Sequence, residues 1–211
     1  MTRAVIFDLD GVLIDSGPSH RASWRALMEE LGVAAPPEFW RRTIGRPAEE
    51  AIGRLLGRAV NPAEAEALCQ RKHEHYVRLA AVLPVVPGAP AFVDELIRCG
   101  VPRAVATSAR RADATRLLGA LGLLDRFAVL VTAEDVARGK PDPEVYLRAA
   151  CGLAVPPETC LVFEDALIGV EAARRAGMRV IGVSTAYTEP ELLGAGAERV
   201  VKSFESSRWP L

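Results

Sequence analysis

The chain has 211 residues, a length that carries one large domain or one domain plus a small insertion. Half of its residues are hydrophobic and a quarter charged, an ordinary globular composition. A formal net charge of -1 offers nothing to attract nucleic acid or a membrane surface, and both are excluded as partners.

The four cysteines, Cys69, Cys99, Cys151 and Cys160, are scattered, with no Cys-x-x-Cys pair and no histidine at ligand spacing. That predicts buried thiols in a reducing compartment, and neither a zinc site nor a disulfide framework. The N-terminus enters a strand almost at once, leaving no stretch for a signal peptide, and no apolar run reaches the ~18 residues of a membrane helix. A cytoplasmic location is expected. Of the 26 basic residues only Lys72, Lys140 and Lys202 are lysines. Each is therefore a candidate for a position that needs a compact ammonium, which arginine does not replace at a tight site.

In chain order, Ala4-Val5-Ile6-Phe7 reads as a strand buried on both faces, as in a parallel sheet. It runs into Asp8-Leu9-Asp10-Gly11. Two acids at i and i+2 on extended backbone point to the same side, so Asp8 and Asp10 face one site together. Gly17-Pro18 is a turn signal, and a helix is expected from Ser19, with Trp24, Leu27, Met28 and Leu31 on one face and Gly32 closing it. Pro36-Pro37 breaks the chain. Short amphipathic helices joined near Gly45-Arg46-Pro47 come next, then a long helix from about Pro62 to Leu79. No strand-like run occurs between Ile14 and roughly Ala80.

Beyond Pro84, Pro87-Gly88 and Pro90 the texture alternates. Strands are expected at Arg103–Thr107, Ala128–Val131, Cys160–Phe163, Arg179–Val183 and near Arg199–Val201, with helices between them. The fold class is therefore α/β: a doubly wound parallel-sheet core of residues 1–16 and 82–211 with an all-helical cap inserted at 17–81. Ligands of such sheets sit at the C-terminal ends of the strands, and a cap inserted after the first strand predicts an enzyme that closes on a small ligand.

Those strand ends carry a coherent set of groups. Strand one supplies Asp8 and Asp10, the next Thr107 and Ser108, the Gly139-Lys140-Pro141-Asp142-Pro143 loop an ammonium, and a later strand Glu164 and Asp165. Asp8, Asp10, Asp165 and Glu164 are hard oxygen donors suited to Mg²⁺, and a backbone carbonyl adds another. Thr107, nearby backbone N–H groups and Lys140 suit the oxygens of a phosphoryl group. One carboxylate can attack phosphorus while its neighbour handles the proton. Singly, Thr107-Ser108 and Glu164-Asp165 read as helix caps and Lys140 as a surface charge. Their joint placement after successive strands is left unexplained by those readings.

Asp8-Leu9-Asp10-Gly11-Val12, Thr107, Gly139-Lys140-Pro141-Asp142-Pro143 and Val162-Phe163-Glu164-Asp165 with Gly169 downstream resemble, in order and spacing, the four motifs of the haloacid dehalogenase superfamily. The helical insertion is similar to the cap of its β-phosphoglucomutase-like and phosphatase branch. The resemblance implies Asp8 as nucleophile and Asp10 as general acid/base, with Thr107 and Lys140 binding phosphate. It implies Mg²⁺ held by Asp8, the Asp10 carbonyl and Asp165, with Glu164 in or next to that sphere. Dehalogenases of this fold lack the second aspartate, because a leaving halide needs no proton, so Asp10 favours phosphate esters.

In the cap, His20, Trp24 and Lys72 match positions of the β-phosphoglucomutases. Trp24 reads more simply as core, and His20 as either a partner of the general acid or a helix cap. One departure matters. Mutases carry an arginine three positions after a cap glycine, clamping the phosphate that is not transferred. Here Ala48 stands there and Arg46 lies two places earlier, which is not the same fork. The expectation is a Mg²⁺-dependent phosphatase, probing a small phosphate ester with Thr107, Ser108, Lys140, His20, Arg46 and Lys72, with a hexose-phosphate mutase as the alternative. A monomer is expected.

Overall fold

Apolar runs that end abruptly in polar residues become the strands. The structure, a computed structural model, describes residues 2–44, 46, 48–79 and 84–211. Strand β1 (Ala4–Phe7) is buried at all four positions, and β4 (Cys160–Glu164) at all five, because each has neighbours on both faces. With β2 (Arg103–Ala106), β3 (Val129–Val131), β5 (Arg179–Val183) and β6 (Arg199–Val201) they form one sheet in the order β3-β2-β1-β4-β5-β6. All five pairings are parallel. The strand order reverses between β1 and β4, and the crevice at such a reversal is where doubly wound sheets take their ligands.

The helices are α1 (Gly17–Leu31), α2 (Phe39–Thr43), α3 (Ala48–Leu56), α4 (Pro62–Leu79), α5 (Ala89–Arg98), α6 (Arg111–Ala120), α7 (Glu144–Gly152), α8 (Leu167–Arg175) and α9 (Glu189–Ala195). The chain divides into two compact units, Met1–Asp15 with Val85–Leu211 and Ser16–Pro84. The first is the α/β core, the second the helical cap inserted after β1.

Within the core, register pairs Phe7 with Phe163, and their rings stack at 5.3 Å. Phe92 of α5 meets Phe163 edge-on at 5.6 Å, and Phe204 near the C-terminus lies 4.9 Å from the same ring. This aromatic cluster fixes the β1–β4 pair whose ends carry the acids. Within the cap, α1, α2, α3 and α4 bury a core of their own, including Trp24, Leu27, Met28, Phe39, Ile52, Leu55 and Leu68. Trp24 meets Phe39 edge-on at 5.2 Å, so Trp24 is a packing residue. Among the described cap residues, no strand occurs.

Two expectations need correction. Helix α1 starts at Gly17 rather than Ser19, because Pro18 sits in its first turn, where a missing N–H costs nothing. Cys69 and Cys160 are buried, but Cys99 and Cys151 are exposed: Cys99 comes after the last turn of α5, and Cys151 lies off the buried Val145, Tyr146, Ala149 and Ala150 face of α7. Short 3-10 turns at Leu124–Arg126, Ala133–Asp135 and Pro157–Thr159 were not expected either. The Gly45 and Pro47 turn residues and the expected boundary at 81–82 lie outside the described residues. No helix among the described residues is long and apolar enough to cross a membrane.

Candidate active site

Asp8 is the residue after β1, and its backbone N–H still donates to Phe163 O at 3.0 Å, continuing the ladder with β4. Its side chain is therefore set beside Glu164, the last residue of β4, and Asp165, the next. Carboxylate oxygens of Asp8, Glu164 and Asp165 all lie within 4.8 Å of one another, and all three residues are buried. Gly11, at φ 78°, lets the chain leave past Asp165, whose carboxylate occupies the space a Cβ would need.

Lys140 arrives from the loop before α7 and is 4 % exposed. Its Nζ donates to Asp8 Oδ1 at 2.6 Å and to Glu164 Oε2 at 2.8 Å. Glu164 is held on every side. Its Oε2 also accepts from the Tyr146 hydroxyl at 2.6 Å, and Oε1 accepts the backbone N–H groups of Asp165 and Ala166 at 3.2 and 2.9 Å. Four donors thus meet the four lone-pair positions of one carboxylate. Gly169 on α8 is what admits this carboxylate, since a Cβ there would overlap it. After β5, the Thr185 hydroxyl lies 2.7 Å from Gly11 O and 3.2 Å from Asp165 Oδ2, tying the loop after β1 to the loop after β4.

The charges do not balance locally. One ammonium faces Asp8, Glu164 and Asp165, with Asp10 close enough that its charge acts on Asp8. Burial opposes the Lys140 charge, but Asp8 and Glu164 overcome it and hold the amine protonated, well above the ordinary lysine range. The acids show the deficit. Burial first, then the Glu164 and Asp10 charges, push Asp8 up to about 8 against the pull of Lys140. Burial, Glu164 and Asp8 likewise push Asp165 well above the carboxylate range. A second cation relieves both groups. The clustered donors are carboxylate oxygens, the hard donors a divalent ion such as Mg²⁺ takes, so the residues fit that ion.

Thr107 comes directly after β2, its N–H donating to Val131 O at 3.0 Å. Its hydroxyl is buried and accepts from Ala109 N–H at 3.0 Å. It does not cap a helix, as α6 begins only at Arg111. Ser108 beside it is half-buried. Glu164 serves its two backbone donors ahead of α8, with the acid at the helix N-terminus where the dipole favours it.

The remaining candidates belong to the cap. Lys72 of α4 is 7 % exposed, and its Nζ lies 2.9 Å from His20 Nδ1. Facing a lysine ammonium, which can only donate, Nδ1 is the acceptor of this bond. The His20 ring stacks on Tyr76 at 4.3 Å, and Lys72 Nζ stands 5.0 Å from the Tyr76 ring and 5.7 Å from the Trp24 ring. His20 and Lys72 thus form a pair, whereas Arg46 is half-exposed and bound to Glu50 at 2.9 Å. Tyr146 and Thr185 escape a reading of the sequence: the first looks like helix core, the second like a turn residue. The one signal for Tyr146 is its position six residues after Lys140, on the helix that this loop opens.

Sheet order, strand-end acids and a buried ammonium define an α/β core with a charged cluster at its ligand edge. The chain belongs to the haloacid dehalogenase-like hydrolases, whose family model matches residues 2–177. It is 37% identical over 220 residues to validoxylamine A 7'-phosphate phosphatase of Streptomyces hygroscopicus subsp. limoneus, covering 100% of this chain and 98% of that protein. It is 36% identical over 205 residues to the phosphorylated carbohydrates phosphatase of Thermotoga maritima, covering 96% and 95%. The crystal structure of β-phosphoglucomutase from Clostridium difficile superposes with a TM-score of 0.87 at 28% identity, covering 99% of this chain and 94% of that one.

Proposed function

We propose that this chain is a Mg²⁺-dependent phosphatase that hydrolyses a small phosphorylated metabolite, of the sugar-phosphate kind, through a phosphoryl group carried on Asp8. The observation that carries the reading is the buried Asp8–Lys140–Glu164–Asp165 cluster at the point where the strand order reverses. Mg²⁺, when bound, neutralises the carboxylates and the phosphoryl oxygens and so keeps Asp8 ionised for attack. Asp8, the Asp10 carbonyl and Asp165 are the groups we assign to hold it. Glu164, with its acceptor positions already engaged, stands beside them and holds Lys140.

Lys140, Thr107 and Ser108 orient the phosphoryl oxygens. A carboxylate oxygen of Asp8 attacks phosphorus, and the bond from phosphorus to the alcohol oxygen breaks. Asp10 gives its proton to that oxygen, and the alcohol leaves. Asp10, now ionised, takes a proton from water as the water oxygen attacks the phosphoryl group. The bond to Asp8 breaks, and inorganic phosphate is released. We assign His20, Arg46 and Lys72 of the cap to selecting the alcohol. Support comes from the phosphatase names of the two relatives, both spanning nearly the whole chain.

The test is phosphate release from a panel of phosphorylated sugars and short acids, with and without Mg²⁺. Release that a chelator abolishes, that Mg²⁺ restores, and that Asp8→Asn removes is the expected result. An Asp8→Asn protein that hydrolyses p-nitrophenyl phosphate at the wild-type rate sinks the reading. A mutase is the second reading, favoured by the β-phosphoglucomutase likeness. It predicts conversion of β-glucose 1-phosphate, primed with bisphosphate, to glucose 6-phosphate in place of free phosphate.

A further inference from the structure

Tyr146 is the largest of the fully buried side chains, and the chemistry proposed above makes no use of it. Its position is not that of a core residue alone. The hydroxyl donates to Glu164 Oε2 at 2.6 Å, the same oxygen that takes Lys140 Nζ at 2.8 Å. Its ring stands 4.9 Å from Nζ, within range of an attraction between ammonium and ring face. Lys140 and Tyr146 also come from one short segment. Asp142 Oδ1 accepts the Glu144 N–H at 3.0 Å and Pro143 O accepts the Tyr146 N–H at 3.1 Å, so the loop that carries the ammonium turns directly into the helix that carries the phenol.

From this arrangement we infer that Tyr146 is a positioning residue for Lys140, acting through Glu164 and through its own ring. An ammonium has three N–H groups, and Asp8 and Glu164 take two of them. The third remains for a phosphoryl oxygen. The phenol fills the second acceptor position of Glu164 Oε2, so Glu164 cannot draw a further N–H from the ammonium. Removing the hydroxyl leaves that position open, and Nζ moves toward Glu164, away from Asp8 and from the incoming phosphoryl group. The phenol therefore sets how the ammonium is shared between its two acids.

This inference rests on the phosphatase reading, and its test separates the two. Tyr146→Phe keeps the ring and removes the hydroxyl, and Tyr146→Leu removes both. In saturating Mg²⁺ with p-nitrophenyl phosphate, Tyr146→Phe lowers kcat/KM about tenfold and raises the inhibition constant of inorganic phosphate by a similar factor, and Tyr146→Leu loses about a hundredfold. A tyrosine that only fills space gives the opposite pattern. The melting midpoint of Tyr146→Phe then falls while kcat/KM and phosphate inhibition stay at wild-type values, and the inference is overturned. Should the wild-type protein hydrolyse nothing, the phosphatase reading fails. Calorimetric titration of inorganic phosphate, with Mg²⁺, into wild type and Tyr146→Phe then decides the positioning role. About tenfold weaker binding by the variant upholds it; equal affinity, or a wild type that binds no phosphate, ends it.

Discussion

The core and the cap each bury one lysine, and they surround it with different chemistry. In the core, Lys140 lies between the carboxylates of Asp8 and Glu164. In the cap, the groups against Lys72 include an imidazole nitrogen and the faces of Trp24 and Tyr76. Carboxylates crowd the first ammonium, and polarisable rings flank the second. The difference is one of charge balance. Clustered buried acids keep a standing demand for cations, which substrate chemistry can use, whereas rings around an ammonium make no such demand.

Replacing each lysine by methionine, which keeps length and removes charge, tests that contrast most directly. Lys140→Met leaves the acids uncompensated, and unfolding by denaturant should show a loss of about 3–5 kcal/mol, with phosphatase turnover down at least about a hundredfold. Lys72→Met leaves the aromatic stack in place and should cost about 1 kcal/mol. Equal losses from the two variants would end the comparison.

Gly169→Ala perturbs the core cluster without altering a charged group. The added methyl meets the Glu164 carboxylate, which backbone donors and Tyr146 hold in place. An overpacking cost of about 2 kcal/mol is expected, with turnover down about tenfold as Glu164 and Lys140 shift. Wild-type stability and turnover together would show that Glu164 is freer than its four bonds indicate.

Much of the core site was legible because parallel strands announce themselves. Ala4–Phe7 and Cys160–Phe163 are continuous apolar runs, and the residues just past a buried strand lie at the sheet's ligand edge. Asp8, Glu164 and Asp165, which the fold gathers, could therefore be placed together from their positions in the chain alone. The cap was legible as helices, since Trp24, Leu27 and Met28 recur at helical spacing. The residues that escaped depend on long-range pairing. Tyr146 meets Glu164 eighteen residues on, and Thr185 meets Gly11 across 174 positions; nothing in local pattern distinguishes such residues from packing or turn residues. The exposed Cys99 and Cys151 escaped for a related reason, since composition says how often a thiol is buried but not which helix face it occupies.

Surface acids behave opposite to the buried ones in both units, which gives a pH handle. In the cap, Arg71 and then His75 hold Glu30 below its ordinary range. In the core, the Arg111 guanidinium, aided by Thr132, holds Asp135 down at about 2, although desolvation pulls the other way. Asp135 accepts from Thr132 N–H at 2.7 Å and from its hydroxyl at 2.8 Å. A depressed carboxylate stabilises the fold above its unfolded pKa of 3.8, and that contribution disappears as pH falls through about 2. Asp135→Asn keeps an acceptor oxygen and drops the charge. Discounted for a side chain that is a third exposed, the expected loss is about 1 kcal/mol at pH 7, shrinking toward nothing near pH 2. Denaturant melts at pH 7, 4 and 2.5 check it; a constant difference across that range refutes the assignment.

The smallest expected effect on stability tests the proposed assignment of Arg46 to the alcohol. Arg46 and Glu50 form an ion pair with side chains 31% and 48% exposed, and such a pair contributes little, about 0.3 kcal/mol. Arg46→Ala should therefore leave the melting midpoint in place. If Arg46 serves the substrate, KM for a sugar phosphate rises about threefold while KM for p-nitrophenyl phosphate, which has no sugar to recognise, does not change. Glu50→Ala separates recognition from simple electrostatics, because it frees Arg46 and should lower KM for the sugar phosphate. A parallel rise for both substrates would instead assign Arg46 to the phosphoryl group itself, and no change for either would remove it from the site. In the expected outcome Arg46 acts on substrate from a solvated surface, released from a weak pair as the alcohol arrives, whereas Lys140 acts from a buried position that its two acids fix in advance.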